Sequence, residues 1–249
     1  MQKIKIITIS GGLTSAYVAK LVLDSDKNAE LVFTDTGWED ADLFRFLHDL
    51  ENLFQKKITF LKHKKYANPE ELFNAQGMLG SNRVPTCSRV LKVEVLQDYL
   101  KEKYNNQCVV YFGIDYSEKH RADRIKSQYD KLGLGIETRF PLIESKDFFI
   151  KDKITSWLNA NNIDIPRMYK LGYLHNNCSG GCVRAGKKSW LHLLKTNSTV
   201  YAERERLESS FKGGKYTFMK ELSLKELREN EAKHCNLFED EMPCMCFEV

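Results

Sequence analysis

A chain of 249 residues with 38 Lys and Arg against 34 Asp and Glu carries a net charge of +4, a balance that permits a polyanionic partner without demanding one. No apolar stretch approaches the length of a bilayer span and Met1–Ser10 is too short and strand-like for a secretory signal, so a cytoplasmic protein with no membrane contact is expected. Seven cysteines, an odd number, then argue for metal ligation or thiol chemistry over a disulfide framework.

The first element is the most informative. Ile4-Lys5-Ile6-Ile7-Thr8-Ile9 reads as a strand that stops at Ser10-Gly11-Gly12, and a helical pattern begins at Leu13-Thr14-Ser15. Two glycines allow a tight turn and close approach to an anion, and Ser10, Thr14 and Ser15 add hydroxyls beside the positive end of the helix. The spacing is not that of the Walker loop. An ordinary strand-to-helix turn with an N-cap serine is the competing reading.

Further apolar runs near 30–34, 57–61, 108–112 and 137–141 alternate with helix-period segments, the pattern of a Rossmann-like α/β fold with a mostly parallel sheet. Leu43, Phe46, Leu47, Leu50, Leu53 and Phe54 mark the clearest helix, apolar on one face. In such sheets ligands sit beyond the carboxyl ends of the strands. The tip of the second strand carries Thr34, Asp35 and Thr36, then Gly37-Trp38-Glu39-Asp40. Asp35, the first carboxylate beyond the sheet, is a candidate for a ribose, an adenine amino group or Mg²⁺, whereas Glu39 and Asp40 read as caps of the next helix. After the fourth strand, Gly113 leads to Arg121 and Arg124, three apart on a helix, where two guanidinium groups suit a phosphate or a sulfate; a salt-bridged surface turn is the alternative. The basic run at Lys62-His63-Lys64-Lys65 reads as a solvated face.

Past residue 170 the pattern turns to loops and helices, giving an expected division into a nucleotide-binding α/β domain, 1–170, and a cysteine-bearing helical region, 171–249. Helices are expected from Trp190 and over Val200–Leu207, and Ser223-Leu224-Lys225-Glu226 is a capping-box start. Tyr169, Tyr173, His175, Asn176 and Arg184 are expected to line a lid over the nucleotide site. Cys178 and Cys182 flank a Gly-Gly turn, and Cys244 and Cys246 form a second close pair. Together these four thiols suit a closed tetrahedral zinc site, while cysteines packed as small hydrophobes are the plain alternative. Cys108, inside a strand, fits the latter.

Ser10-Gly11-Gly12-Leu13-Thr14-Ser15 resembles the Ser-Gly-Gly-x-x-Ser loop of the PP-loop ATP pyrophosphatases. Asp35-Thr36-Gly37, then Cys87-Ser88-Arg89-Val90-Leu91-Lys92, then Gly113 with Glu118 and Arg121, follow the order of the phosphoadenosine phosphosulfate reductase branch, over roughly residues 1–190. The resemblance implies an adenine nucleotide, ATP with Mg²⁺, held by Ser10, Gly11, Gly12, Leu13, Thr14, Ser15, Thr34, Asp35, Thr36, Gly113 and Arg184. It gives catalytic roles to Ser10, Asp35, Lys92 and Arg121. Two departures stand out: Leu13-Thr14 replaces the Lys-Asp of the commoner hydrolytic loop, and Lys233-His234-Cys235-Asn236 only faintly echoes the Glu-Cys-Gly segment of the reductases.

Cys87 falls where the iron–sulfur adenylylsulfate reductases carry two adjacent cysteine ligands, the second being Ser88 here. The resemblance therefore implies an iron–sulfur cluster on Cys87, Cys178 and Cys182, its fourth position open or filled from Cys244 and Cys246. The activity it implies is ATP pyrophosphatase chemistry, AMP plus pyrophosphate, activating a nucleic-acid or small-molecule acceptor for sulfur transfer from a sulfur donor. A sulfonucleotide reductase served by a thioredoxin-type partner, or a nucleotide sensor without turnover, are the alternatives.

Overall fold

In the computed structural model, which describes residues 3–145 and 150–231, β1 (Ile4–Thr8), β2 (Glu30–Thr34), β3 (Ile58–Leu61), β4 (Cys108–Phe112) and β5 (Glu137–Arg139) form one all-parallel sheet. Its order is β3-β2-β1-β4-β5. The helices are α1 (Leu13–Ser25), α2 (Ala41–Phe54), α3 (Pro69–Gln76), α4 (Thr86–Ser88), α5 (Val95–Tyr104), α6 (Lys119–Leu132), α7 (Pro141–Glu144), α8 (Ile150–Ala160), α9 (Arg167–Lys170), α10 (Lys187–Thr196), α11 (Ser198–Ser210) and α12 (Leu224–Glu229). Among the described residues no helix is long and apolar enough to cross a membrane.

Side chains alternate across a strand, and here both sets are apolar because both faces are covered. Ile7, Leu31 and Phe33 pack on α1, α2 and α8, while Ile6, Val32, Val110 and Phe112 pack on α5 and α6. The apolar stripe of α2 faces the core: Leu43, Phe46, Leu47 and Leu50 are each 0 % exposed, each contributing about 1.5–3 kcal/mol by leaving water, and Leu53 and Phe54 pack half-buried beside them. Asp40 begins that helix, its side chain accepting the Asp42 N–H, and Gln55 ends it in a left-handed conformation.

A second core lies in the C-terminal part. Trp190, Tyr201, Leu207, Phe218, Leu224 and Leu227 pack there with Trp38, Phe73 and Leu79 from the first eighty residues. The expected capping box is present at Ser223 and Glu226. Cys235, Cys244 and Cys246 lie outside the described residues.

The chain leaves β1 for β2 on one side, and β4 later joins β1 on the other, so the topology switches direction between β1 and β4. The crevice beyond their carboxyl ends is where α1 must start. Gly113, just past β4, is pressed against it: a Cβ there would lie 2.4 Å from Ser15 Cα. Gly113→Ala is therefore expected to cost about 1–3 kcal/mol in urea denaturation, because backbone must move to admit the methyl group.

Candidate functional site

Gly11 has φ +77°, and a Cβ on it would stand 2.5 Å from Leu43 Cγ, so the loop after β1 lies flat against α2 only with glycine here. Gly12 starts α1 without a side-chain cap, leaving the first amides of that helix pointing outward. Ser15 Oγ accepts the Ser10 N–H at 3.1 Å and donates to the Gly12 carbonyl at 2.9 Å, closing the loop on itself. Thr14 donates to the Gly113 carbonyl at 2.6 Å, tying the loop to β4. The result is a rigid turn with a helix dipole behind it, a seat for an anion.

A cavity of about 80 Å³ opens on this seat. It is lined by Thr8, Ser10, Gly12, Thr14 and Ser15, by Phe112, Gly113 and Ile114 beyond β4, by Lys92, Glu118 and Arg121, and by Tyr169, His175, Asn176 and Asn177 from the C-terminal part. Ser10, Gly12, Thr14, Ser15, Lys92, Gly113 and Arg121 of the sequence-derived set thus meet in one place. Gly11 and Leu13 shape the loop beside it. Tyr169, His175 and Asn176 line it as expected of a lid, and Asn176 Nδ2 donates to the Gly11 carbonyl at 2.8 Å.

Other expected residues stand apart. Asp35 is not among the lining residues: Oδ1 accepts the Gly37 N–H at 2.8 Å and Oδ2 pairs with Lys62 Nζ at 2.9 Å. Thr34 is buried at its strand end. Tyr173 packs against His192, with its hydroxyl on Thr196. Arg124 is exposed, because the buried stripe of α6 runs through Arg121, Ala122, Ile125 and Tyr129, so the expected pair of guanidinium groups reduces to Arg121. Glu118, whose carboxylate holds Arg121 Nη1 at 3.0 Å, lines the cavity; its i,i+3 spacing from Arg121 was the legible signal.

Lys92 also borders a second, smaller chamber of about 20 Å³, with Thr36, Pro69, Pro85, Cys87, Ser88, Cys178, Cys182, Val183 and Arg184. Thr36 and Arg184 therefore belong to this chamber and not to the loop cavity. Lys92 lies in a π-helical stretch, Arg89–Glu94, whose wider turn carries it inward, and it is 6 % exposed. Its ammonium meets Glu39 Oε1 at 3.3 Å, on a carboxylate side chain that is 1 % exposed. Thr36 Oγ1 donates to the same oxygen at 2.9 Å, and the Cys178 N–H donates to Oε2 at 3.0 Å. The sequence reads both Glu39 and Asp40 as caps; Asp40 takes that role, and Glu39 turns inward.

Cys178 and Ser179 both adopt φ 51°, an uncommon conformation for residues with a side chain, and Ser179 Oγ holds the Trp38 carbonyl at 3.1 Å. Beneath them the Arg204 guanidinium lies 3.5 Å above the Trp38 ring, its pKa lowered by burial. Arg184 Nε is buried with no hydrogen-bond partner. Cys87, Cys108, Cys178 and Cys182 form no disulfide. Among the described residues no three His, Cys, Asp or Glu side chains are grouped to hold a metal ion. Cys108 is fully buried in β4, and burial pushes its thiol up to about 11, as fits a small hydrophobe.

A parallel sheet with a glycine-rich anion loop at its switch point defines a Rossmann-like α/β protein. The chain belongs to the phosphoadenosine phosphosulfate reductase domain family, which it matches over residues 5–184. It is similar to two uncharacterized proteins of Methanocaldococcus jannaschii, 26 % identical over 177 and over 144 residues, covering 69 % and 53 % of this chain. The chain spans only 39 % and 29 % of the length of those relatives. In fold it is similar to the phosphoadenylyl-sulfate reductase of Candida auris, solved as a phosphate complex, with a TM-score of 0.52 and 20 % identity over 70 % of this chain and 80 % of that one.

Removing one partner of a sealed ion pair leaves the other charge uncompensated. Glu39→Ala is expected to cost about 3–5 kcal/mol in urea denaturation, and the double variant Glu39→Ala/Lys92→Met to recover most of that loss.

Proposed function

We propose that the protein is an ATP pyrophosphatase that activates an acceptor for sulfur transfer. The observation that supports this reading is the position of Lys92 on both the anion cavity and the chamber lined by three thiols, which stand side by side.

The triphosphate lies on Ser10–Ser15 against the N-terminus of α1. An acceptor oxygen attacks the α-phosphorus, the bond to the bridging oxygen breaks, and pyrophosphate leaves with its charge met by Lys92 and Arg121. The acceptor, a nucleic-acid or small-molecule group, then carries AMP, and a sulfur nucleophile displaces it. Mg²⁺ would supply charge neutralisation to the phosphates, and the Ser10 hydroxyl and the Glu118 carboxylate are the oxygen groups this wall would offer it. Asp35, the strand-tip candidate for Mg²⁺, is held by Lys62 and Gly37.

Cys87, Cys178 and Cys182 are the thiols that would hold an iron–sulfur cluster, its fourth position open or filled from Cys244 and Cys246. A zinc ion instead needs its ligands within about 2.3 Å of one point. That arrangement is absent among the described residues, so a zinc site would depend on Cys244 and Cys246 as well.

A sulfonucleotide reductase is the second reading, favoured by the scarcity of carboxylates: among the described residues, Glu118 alone supplies one to the cavity wall, and it is paired with Arg121. A phosphosulfate needs cations and no metal, and a thioredoxin-type dithiol supplies its electrons.

Purified protein with ATP and Mg²⁺ is expected to release pyrophosphate, and Ser10→Ala and Lys92→Ala to lower kcat/KM about 100-fold each. Undiminished release by both variants would sink the site assignment. Sulfite from a phosphosulfate plus dithiol, with no turnover of ATP, would select the reductase. Iron with a broad visible absorbance, lost in Cys182→Ser, would support the cluster.

A further inference from the structure

We propose that Tyr169 is a phosphate ligand of the cavity, its hydroxyl donating a hydrogen bond to the phosphoryl oxygen that sits at the first amide of α1. This rests on the nucleotide reading above and assigns one further residue to it.

The geometry converges on one point. Tyr169 comes from α9, more than 150 residues after the loop, yet its hydroxyl oxygen accepts the Leu13 N–H at 3.4 Å across a separation of 156 residues. A Cβ on Gly12 would lie 3.1 Å from that oxygen and 3.4 Å from Ser10 Oγ, so the phenol, the serine hydroxyl and the loop backbone surround the same small volume. At 3.4 Å the amide is poorly served by a neutral phenol, which leaves it open to a charged oxygen at normal distance.

The phenol can serve that oxygen too. Burial pushes its pKa up to about 12, so it keeps its proton across the physiological range and presents an O–H to an anion. A hydroxyl that accepts from the amide has its own hydrogen to place, and a phosphoryl oxygen beside the amide takes both donors at once.

A second observation marks this wall as built for a ligand. Asn176, 4 % exposed and also lining the cavity, donates through Nδ2 to the Gly11 carbonyl while its Oδ1 is buried without a hydrogen-bond partner. The amide orientation follows from the carbonyl it faces, since the opposite one would set oxygen against oxygen. Such an unmatched buried acceptor is costly unless a donor completes it; a phosphoryl oxygen is not one, so Oδ1 marks the place of a water or of a ligand hydroxyl beside the anion. Two residues of the same C-terminal stretch therefore close on residues 11–13 with hydrogen-bonding capacity to spare.

The test is calorimetric titration of wild type and Tyr169→Phe with ATP and with inorganic tripolyphosphate. The hydroxyl bonds a charged group, so Tyr169→Phe should weaken both ligands by the same factor, about tenfold or more. Equal affinity of wild type and variant for tripolyphosphate would overturn the role of Tyr169 and leave the nucleotide reading standing. A wild type that binds neither ligand would overturn that reading and this one with it. Should Tyr169→Phe fail to fold, a ring-fluorinated tyrosine placed at 169 keeps the shape and lowers the phenol pKa. Tripolyphosphate affinity that falls as pH rises through that lowered pKa, with wild type flat over the same range, supports the proposal; a profile like that of wild type refutes it.

Discussion

A carboxylate sealed from water must be matched by donors where it stands, and Glu39 is matched by Lys92, Thr36 and the Cys178 amide. Those three come from stretches far apart in the chain: the tip of β2, the π-helical turn before α5, and the Cys178–Cys182 loop. One buried charge therefore fixes the relation between the sheet and the cysteine loop. The loop's other ties, Asn176 to Gly11 and Ser179 to Trp38, point the same way. Apolar packing brings these segments together, but it does not specify which side chain faces which. A buried pair does, because every misaligned arrangement leaves a charge uncompensated.

The sheet and the anion loop were legible from the sequence because each has a local cause. Apolar runs of strand length, separated by helical stretches, encode a sheet covered on both faces, and two glycines between a strand and a helix encode a turn that approaches an anion. Roles that depend on register between distant segments were not legible. Asp35 looks like an open carboxylate at a strand tip, yet the parallel pairing of β2 with β3 brings Lys62 against it. Glu39 and Asp40 look interchangeable as caps. In extended backbone neighbouring side chains face opposite ways, so one caps α2 while the other enters the interior. Tyr169 was legible as part of a lid, but its contact with the Leu13 amide spans 156 residues, which no local pattern records.

The replacement of Lys-Asp by Leu13-Thr14 in the loop also finds a physical account. Thr14 spends its hydroxyl on the Gly113 carbonyl, so this position holds the loop to β4 instead of meeting phosphate charge. Cationic groups reach the cavity from elsewhere, Lys92 from the π-helical turn and Arg121 from α6. Both arrive already engaged by carboxylates, Glu39 and Glu118. Fixed charges of this kind are oriented before any ligand enters, so little reorganisation is needed when one does.

Lys92 stands on the walls of two compartments at once, and this has a thermodynamic corollary. An anion in the loop cavity and an anion in the thiol chamber draw on the field of the same ammonium, so neither binds independently of the other. Linkage then imposes reciprocity: whatever factor occupancy of one compartment applies to affinity in the other, the second returns unchanged to the first. A single shared charge thus couples the two compartments, and any change to it alters affinity in both together.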